Sequence, residues 1–273
     1  MEEKSIMIRK IHRRRFLYCS SLGLAGIACV DLGHAFEASS LSEQARKWLA
    51  GITWFKQSGF RLQDGDRVMY IDPYEITISP HDADVLLISH SHNDHCHTAS
   101  VSRVAKETTI ALTEPESAAK IKNLIQDIRT ATPGETLTVG GFKIETVPSY
   151  NINKTNHPKS KNYLGFVVTL QDGRRIYHAG DTDHIPEMEA IDCDVALLPC
   201  GGTYTMNTTE AAAAAKIIQP GIVVPMHYGS VVGSPQDGQT LKKLLEGAIE
   251  TVVFEPGQSV EPFNAHIKEW KSQ

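Results

Sequence analysis

A chain of 273 residues, 41% hydrophobic and 22% charged, is long enough to bury the core of one sizeable globular domain. Its net charge of −5 leaves no electrostatic footprint for nucleic acid, and no basic patch with interleaved aromatic residues stands out. Beyond the N-terminal region no apolar stretch reaches membrane length, so a stable span after processing is not expected.

In chain order, residues 1–35 read as an export signal rather than a folded element. Lys10 to Arg15 is basic, and Phe16 to Val30 is mostly apolar and small. Arg13-Arg14-Arg15-Phe16-Leu17 resembles the twin-arginine signal of bacteria, which implies the twin-arginine export machinery as a partner and a periplasmic or otherwise exported location. The small residues there suit cleavage after Ala35, or alternatively after Ala38. Gly26-Ile27-Ala28-Cys29 offers lipid anchoring at Cys29 as a further alternative, and a retained N-terminus is another. The leader carries six Lys/Arg against three Asp/Glu, so residues 36–273 form a single domain of charge −8. Of five cysteines, only Cys96, Cys193 and Cys200 fall in that domain. An odd number without C-x-x-C is no disulfide framework, although a Cys193–Cys200 bridge is conceivable outside the cytoplasm.

The domain's pattern predicts a short helix over 39–50, strands at Ile52–Phe55, Gly59–Leu62 and Val68–Ile71, and a hairpin turn at Asp64-Gly65. A strand at Ala83–Ser89 is followed by a helix from Thr98 to Lys106, a strand at Thr109–Leu112, and a helix from Glu114 to Ile125 with Pro115 in its first turn. Hairpins follow through Gly140-Gly141 and Asp172-Gly173, joining strands Leu137–Val139 to Phe142–Val147 and Leu164–Leu170 to Arg175–His178. Helices at Thr208–Ile218 and Gln239–Ala248 and strands at Ile222–Val224 and Val252–Phe254 complete the pattern. Strands separated by helices, repeated in two halves, suggest an α/β or α+β fold of two sheets packed face to face with helices outside.

The chemistry concentrates at strand ends. His90-Ser91-His92-Asn93-Asp94-His95 puts four metal-competent side chains in six residues after the apolar run Val85–Ile88. Imidazole with carboxylate suits zinc and similar divalent ions. In extended chain residues 90, 92 and 94 share a face, and His95 points elsewhere unless the chain turns. One short turn can thus serve two ions. His97 lies outside the pattern. Asp181 follows Gly180 after the strand Arg175–His178, His227 follows Ile222–Val224, and Asp72 follows Val68–Ile71. Each alone has a structural explanation; together they mark one sheet edge.

H-x-H-x-D-H at 90–95, G-D-T at 180–182, P-M-H at 225–227 and D-P at 72–73 together resemble the metallo-β-lactamase superfamily. The phrases at 177–183, 201–206 and 226–229 are similar to its L-ascorbate-6-phosphate lactonase-like branch. The resemblance implies an αββα sandwich with a two-metal site, zinc by default and manganese as the alternative. His90 and His92 match ligands of one ion, Asp94, His95 and His227 ligands of the other, Asp181 the bridging carboxylate, and Asp72 a support for the ligand turn. The remaining family histidine has no direct counterpart: Pro148-Ser149-Tyr150-Asn151 stands in its place. His157 is the candidate, against a substituted or single-metal site. His178 and His184 flank the bridging Asp and could support it.

The implied activity is hydrolysis, with a metal-bound hydroxide attacking an ester, lactone or phosphoester of a small molecule. Asp94 would ligate and orient the nucleophile. Tyr228, or Tyr150 or Tyr204, could donate to the oxyanion or leaving group, with packing as the plainer role of each. Lys154, Lys159 and Lys161 suggest an anionic substrate unless they are surface charges. Alternatives are a phosphodiesterase of phospholipase-D type and a non-catalytic metal-binding protein. A di-iron redox centre is disfavoured, because related di-iron proteins carry an acidic residue where this chain has His92.

Overall fold

A computed structural model describes residues 41–260, which belong to one compact unit. Residues 1–35, where an export signal is expected, lie outside the described residues. The short helix α1 (Glu43–Leu49) opens with Ser42, whose side chain accepts from Ala45 N. Then come β1 (Ile52–Lys56), β2 (Gly59–Asp64), β3 (Arg67–Ile71), β4 (Ala83–Leu87), α2 (Thr98–Val104), β5 (Ala105–Thr113), α3 (Pro115–Ile121) and β6 (Asp127–Thr130). The second half runs β7 (Thr136–Val139), β8 (Phe142–Pro148), β9 (Leu164–Thr169), β10 (Arg175–His178), β11 (Val195–Pro199), α4 (Thr208–Ile218), β12 (Ile222–Met226), α5 (Asp237–Leu245), β13 (Glu250–Thr251) and β14 (Gln258–Ser259).

These strands form two seven-stranded sheets, ordered β14-β1-β2-β3-β4-β5-β6 and β13-β12-β11-β10-β9-β8-β7. Side-chain alternation divides the first sheet between two cores. Met69, Ile71, Val85 and Leu87 enter the large core shared with the second sheet. Tyr70, Leu86 and Ala111 turn outward to Val101 and Val104 of α2 and Ile121 of α3. On the other side, Ala211, Ala214 and Ala215 of α4 and Leu241 and Leu245 of α5 cover the second sheet. The expected two-sheet sandwich, an α/β fold in one domain, is thus present. Among the described residues no helix is long and apolar enough to cross a membrane.

Several boundaries differ from the pattern. The helix expected to Lys106 stops at Val104, because Ala105 already pairs with Ala83 of β4. The helix expected to Ile125 stops at Ile121. Strands β6 and β11 carry too little local signal to stand out. Val252–Phe254 is not a strand: Val252 N still donates to Val223 O, but the chain then leaves toward β14 on the first sheet. The three domain cysteines are free. Cys193 and Cys200 sit at opposite ends of β11, about 20 Å apart at strand rise, where a bridge needs its Cα atoms within about 7 Å.

The parallel runs β3-β4 and β10-β11-β12 align their C-terminal ends, Ile71 with Leu87 and His178 with Leu197. The segments leaving those ends carry Asp72, His90 to His95, Asp181 and His227. The functional residues therefore meet at one edge of the sandwich, as strand C-termini commonly arrange.

Candidate metal centre

The turn after β4 closes as expected: the His92 carbonyl accepts from both His95 N and Cys96 N. His95 is thereby turned away from its neighbours' extended alternation. Three sets of ligand atoms lie within 4.8 Å of one another: His90 with His92 and His157; His90 with His95 and Asp181; Asp94 with His95 and His227. His157 is thus brought into the cluster from its loop, and none of the seven predicted metal residues is left outside.

Asp181 occupies the middle. Its Oδ2 lies 3.9 Å from His90 Nε2, 3.4 Å from His157 Nε2 and 3.1 Å from His227 Nε2, and its Oδ1 lies 3.1 Å from His95 Nε2. Gly180 gives it that place. Gly180 takes φ +64°, and a Cβ there would come within 2.7 Å of the Leu164 carbonyl. Asp94 Oδ2 faces both His95 Nε2 at 3.6 Å and His227 Nε2 at 3.4 Å.

The outward nitrogens are held by partners that fix ring orientation. Asp72 Oδ2 lies 2.7 Å from His95 Nδ1, and Asp72 also accepts from Ser89 N and Ser89 Oγ. His157 Nδ1 contacts Asn151 Oδ1 at 3.0 Å and the Tyr204 carbonyl at 3.2 Å. His90 Nδ1 contacts Ser89 Oγ at 3.0 Å. With the Asn151 and Tyr204 oxygens on Nδ1, the His157 proton sits there and its inner Nε2 presents a lone pair, while Asp72 on His95 Nδ1 aims Nε2 of that ring inward, where a cation would displace its proton.

Inside, the lone pairs converge. His92 Nδ1 lies 3.0 Å from His90 Nε2 and 3.1 Å from His157 Nε2. Among the described residues, His95 Nε2, His227 Nε2 and Asp181 Oδ1 are buried without a hydrogen-bond partner. Buried polar atoms rarely stay unpaired. Convergent acceptors fit a cation, and the donor set, five imidazoles and two carboxylates without thiolate, fits zinc or a similar divalent ion.

The two sides differ electrostatically. Burial drives His90 well below its ordinary value and His157 down to about 4. Burial also opposes charge on His227 and His95, but the carboxylate of Asp181 outweighs it, lifting His227 to about 9 and His95 well above normal. Burial works against the Asp94 carboxylate, yet the charge of His95 and contact with His227 hold it below its usual range.

Other expectations fare differently. Tyr228 is not at the cluster: it stacks on Trp54 at 5.6 Å, and its hydroxyl lies over Gly238, whose Cβ would come within 2.5 Å. His227 faces the centre, and its left-handed φ of +56° just past the end of β12 sends Tyr228 into packing. Tyr150 donates to Glu187 Oε2 at 3.0 Å, and Tyr204 contributes its carbonyl to His157. His178 is bonded to the Ser58 carbonyl and Gly180 N, and His97 to Ser100; neither they nor His184 join the ligand sets. Lys154, Lys159 and Lys161 each have an acidic partner, Asp183, Glu187 and Glu116. Two participants went unforeseen. The ring of Tyr163 lies 4.9 Å from His90. Gln57, in the β1–β2 turn, donates to Asp94 Oδ2. Neither stands in a motif.

Comparison with known proteins agrees. A family model described as a beta-lactamase superfamily domain matches residues 51–227. A UPF0173 metal-dependent hydrolase of Thermoplasma acidophilum is 32% identical over 220 residues, covering 75% of this chain and 94% of the relative. One of Pyrococcus abyssi is 33% identical, covering 72% and 93%. Among solved structures, Igni18, a metallo hydrolase of Ignicoccus hospitalis, superposes with a TM-score of 0.65 at 26% identity, covering 78% of this chain and 98% of that one.

Proposed function

The chain belongs to the metallo-β-lactamase superfamily, in its UPF0173 family of metal-dependent hydrolases, and from that premise we propose a two-ion centre. One ion is held by His90, His92 and His157, the other by Asp94, His95 and His227, with Asp181 between them. Zinc is the ion the donors suit best, manganese the next. Asp181 carries the reading: imidazoles of both sets reach its one carboxylate, and three of the facing atoms are buried without a hydrogen-bond partner.

The bond cleaved is an ester, lactone or phosphoester of a small molecule. Bound ions supply Lewis acidity toward a carbonyl or phosphoryl oxygen and acidify water toward neutrality. The chain's own residues do the positioning. Gln57, His95 and His227 all contact Asp94 at Oδ2, so Oδ1 is the oxygen left to orient the attacking water and take its proton. Asp94 and His92 are the partly exposed members of the cluster, which makes their side the entrance. Substrate charge is not part of the proposal, since the three loop lysines are paired. Export by the twin-arginine route is proposed from Arg13 to Leu17 alone; secretion assays with Arg13→Lys/Arg14→Lys/Arg15→Lys test it.

Metal analysis of purified protein should give close to two ions per chain. His92→Ala and Asp181→Ala should abolish turnover on a panel of esters, lactones and phosphodiesters, with circular dichroism unchanged. Full activity in both variants would sink the proposal. So would a wild type that binds metal and turns over nothing on the panel.

A further inference from the structure

Resting on the two-ion reading, we infer that Gln57 is a positioning residue for one half of the centre, the half formed by Asp94, His95 and His227. Gln57 is fully buried and takes φ +53° in the turn between β1 and β2. That left-handed backbone, which a non-glycine residue adopts only under constraint, turns both its side chain and its carbonyl to the same place. The side-chain Nε2 donates to Asp94 Oδ2 at 2.9 Å. The carbonyl accepts from His227 N at 2.9 Å and from Trp54 Nε1 at 3.0 Å. One residue from the other end of the domain therefore grips two ligands that are 133 positions apart from each other in sequence.

Its amide orientation is informative. Gln57 Oε1 is buried with no hydrogen-bond partner. Facing a carboxylate, the amide presents its N–H rather than its oxygen, so the donor is the part of the side chain that the site uses. His227 needs the help. It takes φ +56°, so its backbone is itself in the left-handed region. Gln57 O holds its N–H, and Gly201 abuts its carbonyl so closely that a Cβ there would come within 2.3 Å. The opposite set has supports that Gln57 does not touch: Ser89 Oγ on His90, which also reaches His95 Nδ1 at 3.3 Å, and Asn151 with the Tyr204 carbonyl on His157. Gln57 contacts none of these, so its loss should loosen one ion and spare the other.

The experiment titrates metal-free protein with Zn(II) alone by calorimetry and records the visible spectrum after loading with Co(II) alone. Wild type should take up two ions in resolvable steps. Gln57→Met keeps the bulk and the backbone carbonyl but removes the donor. It should weaken one step by about 10- to 100-fold, the range typical for groups that orient ligands, and leave the other step within about twofold. The Co(II) band of the affected site should shift. Gln57→His, which restores an N–H donor, should recover part of the lost affinity. If Gln57→Met misfolds, Gln57→His decides by itself: wild-type-like binding of both ions supports the donor role, and loss of both steps opposes it. Unchanged affinities and spectra in folded Gln57→Met, or equal weakening of both steps, would overturn the inference while leaving the metal centre standing. A wild type that binds no Zn(II) would instead remove the two-ion reading itself.

Discussion

The two halves of the centre share Asp181 but are built on opposite principles. His90, His92 and His157 form a set of neutral imidazoles. Burial holds His90 and His157 below the ordinary histidine value, and their outer contacts are hydroxyl, amide and carbonyl groups. Asp94, His95 and His227 form a charged set, with carboxylates raising both histidines and Asp72 behind His95. The neutral set is ready for a cation without losing a proton. The charged set holds protons that a cation must displace, and its carboxylate then offsets the ion's charge. Ion uptake should therefore release protons unequally. His227, lifted to about 9, is protonated at pH 7, so affinity at its half should fall as pH drops below that value; His157, at about 4, carries no proton there. Calorimetry in buffers of different ionisation enthalpy would test this, and equal proton release in both steps would erase the contrast.

The largest effect on both halves together should come from Asp181→Ala. It removes the carboxylate that every nearby imidazole except His92 faces at under 4 Å. Both binding steps should weaken and hydrolysis should fall to background. Loss of only one ion would mean that Asp181 belongs to one half rather than between them.

Next should come Asp72→Ala. Asp72 is fully buried, and its two oxygens hold Ser89 N, Ser89 Oγ and His95 Nδ1. Truncation leaves Ser89 N without a partner and strips the carboxylate from Ser89 Oγ and His95 Nδ1, which keep only their contact with each other and that of Ser89 Oγ with His90, a cost of about 3 kcal/mol in the stability of the metal-free protein. Urea unfolding measures it. The charged half should also lose affinity more than the neutral half, because His95 loses a direct carboxylate partner whereas His90 is reached only through Ser89 Oγ.

How much of this could be read from the chain follows from range. The turn at 90–95 declares itself because its ligands are contiguous and follow an apolar strand; alternation and hairpin residues suggest two packed sheets with helices outside, and the family resemblance implies the αββα sandwich. Asp181 and His227 were legible as strand-end residues within G-D-T and P-M-H. His157 was less so, because nothing local shows that the 151–157 loop folds back; its anchors, Asn151 Oδ1 on His157 N and Asp183 on Asn151 Nδ2, are tertiary. Gln57 and Tyr163 had no local signal at all. Tyr228 misled because it adjoins a ligand in sequence, but the chain leaves β12 at His227 with a left-handed φ of +56° and carries Tyr228 onto Trp54 instead. Strand β11 is entirely buried, and its run of five residues has no polar alternation to announce it.

Smaller and one-sided effects should distinguish the halves further. Gly201→Ala drives a Cβ into the His227 carbonyl, a backbone atom that cannot swing aside. A cost of about 1–3 kcal/mol is expected from such overpacking, with weaker binding at the charged half only. Asn151→Ala removes the partner of His157 Nδ1 and should weaken the neutral half by about 10-fold or more. Zn(II) titration of the two variants should give mirror-image results, and identical profiles would deny that the halves are independently supported.

The smallest effect should come from the loop lysines. Lys159 and Lys161 each meet an acidic side chain, Glu187 and Glu116, at exposed positions. Exposed pairs of this kind contribute little, and a substrate anion would have to compete with each acidic partner. Lys159→Ala and Lys161→Ala should therefore leave the melting temperature, both zinc-binding steps and the KM for neutral substrates unchanged. The KM for anionic analogues is the sharper measurement, because a rise confined to anions would show that the acidic partners yield when substrate arrives. Without such a rise, recognition falls to uncharged parts of the rim, where Ile152 and Tyr204 stand exposed beside the segments that hold His157.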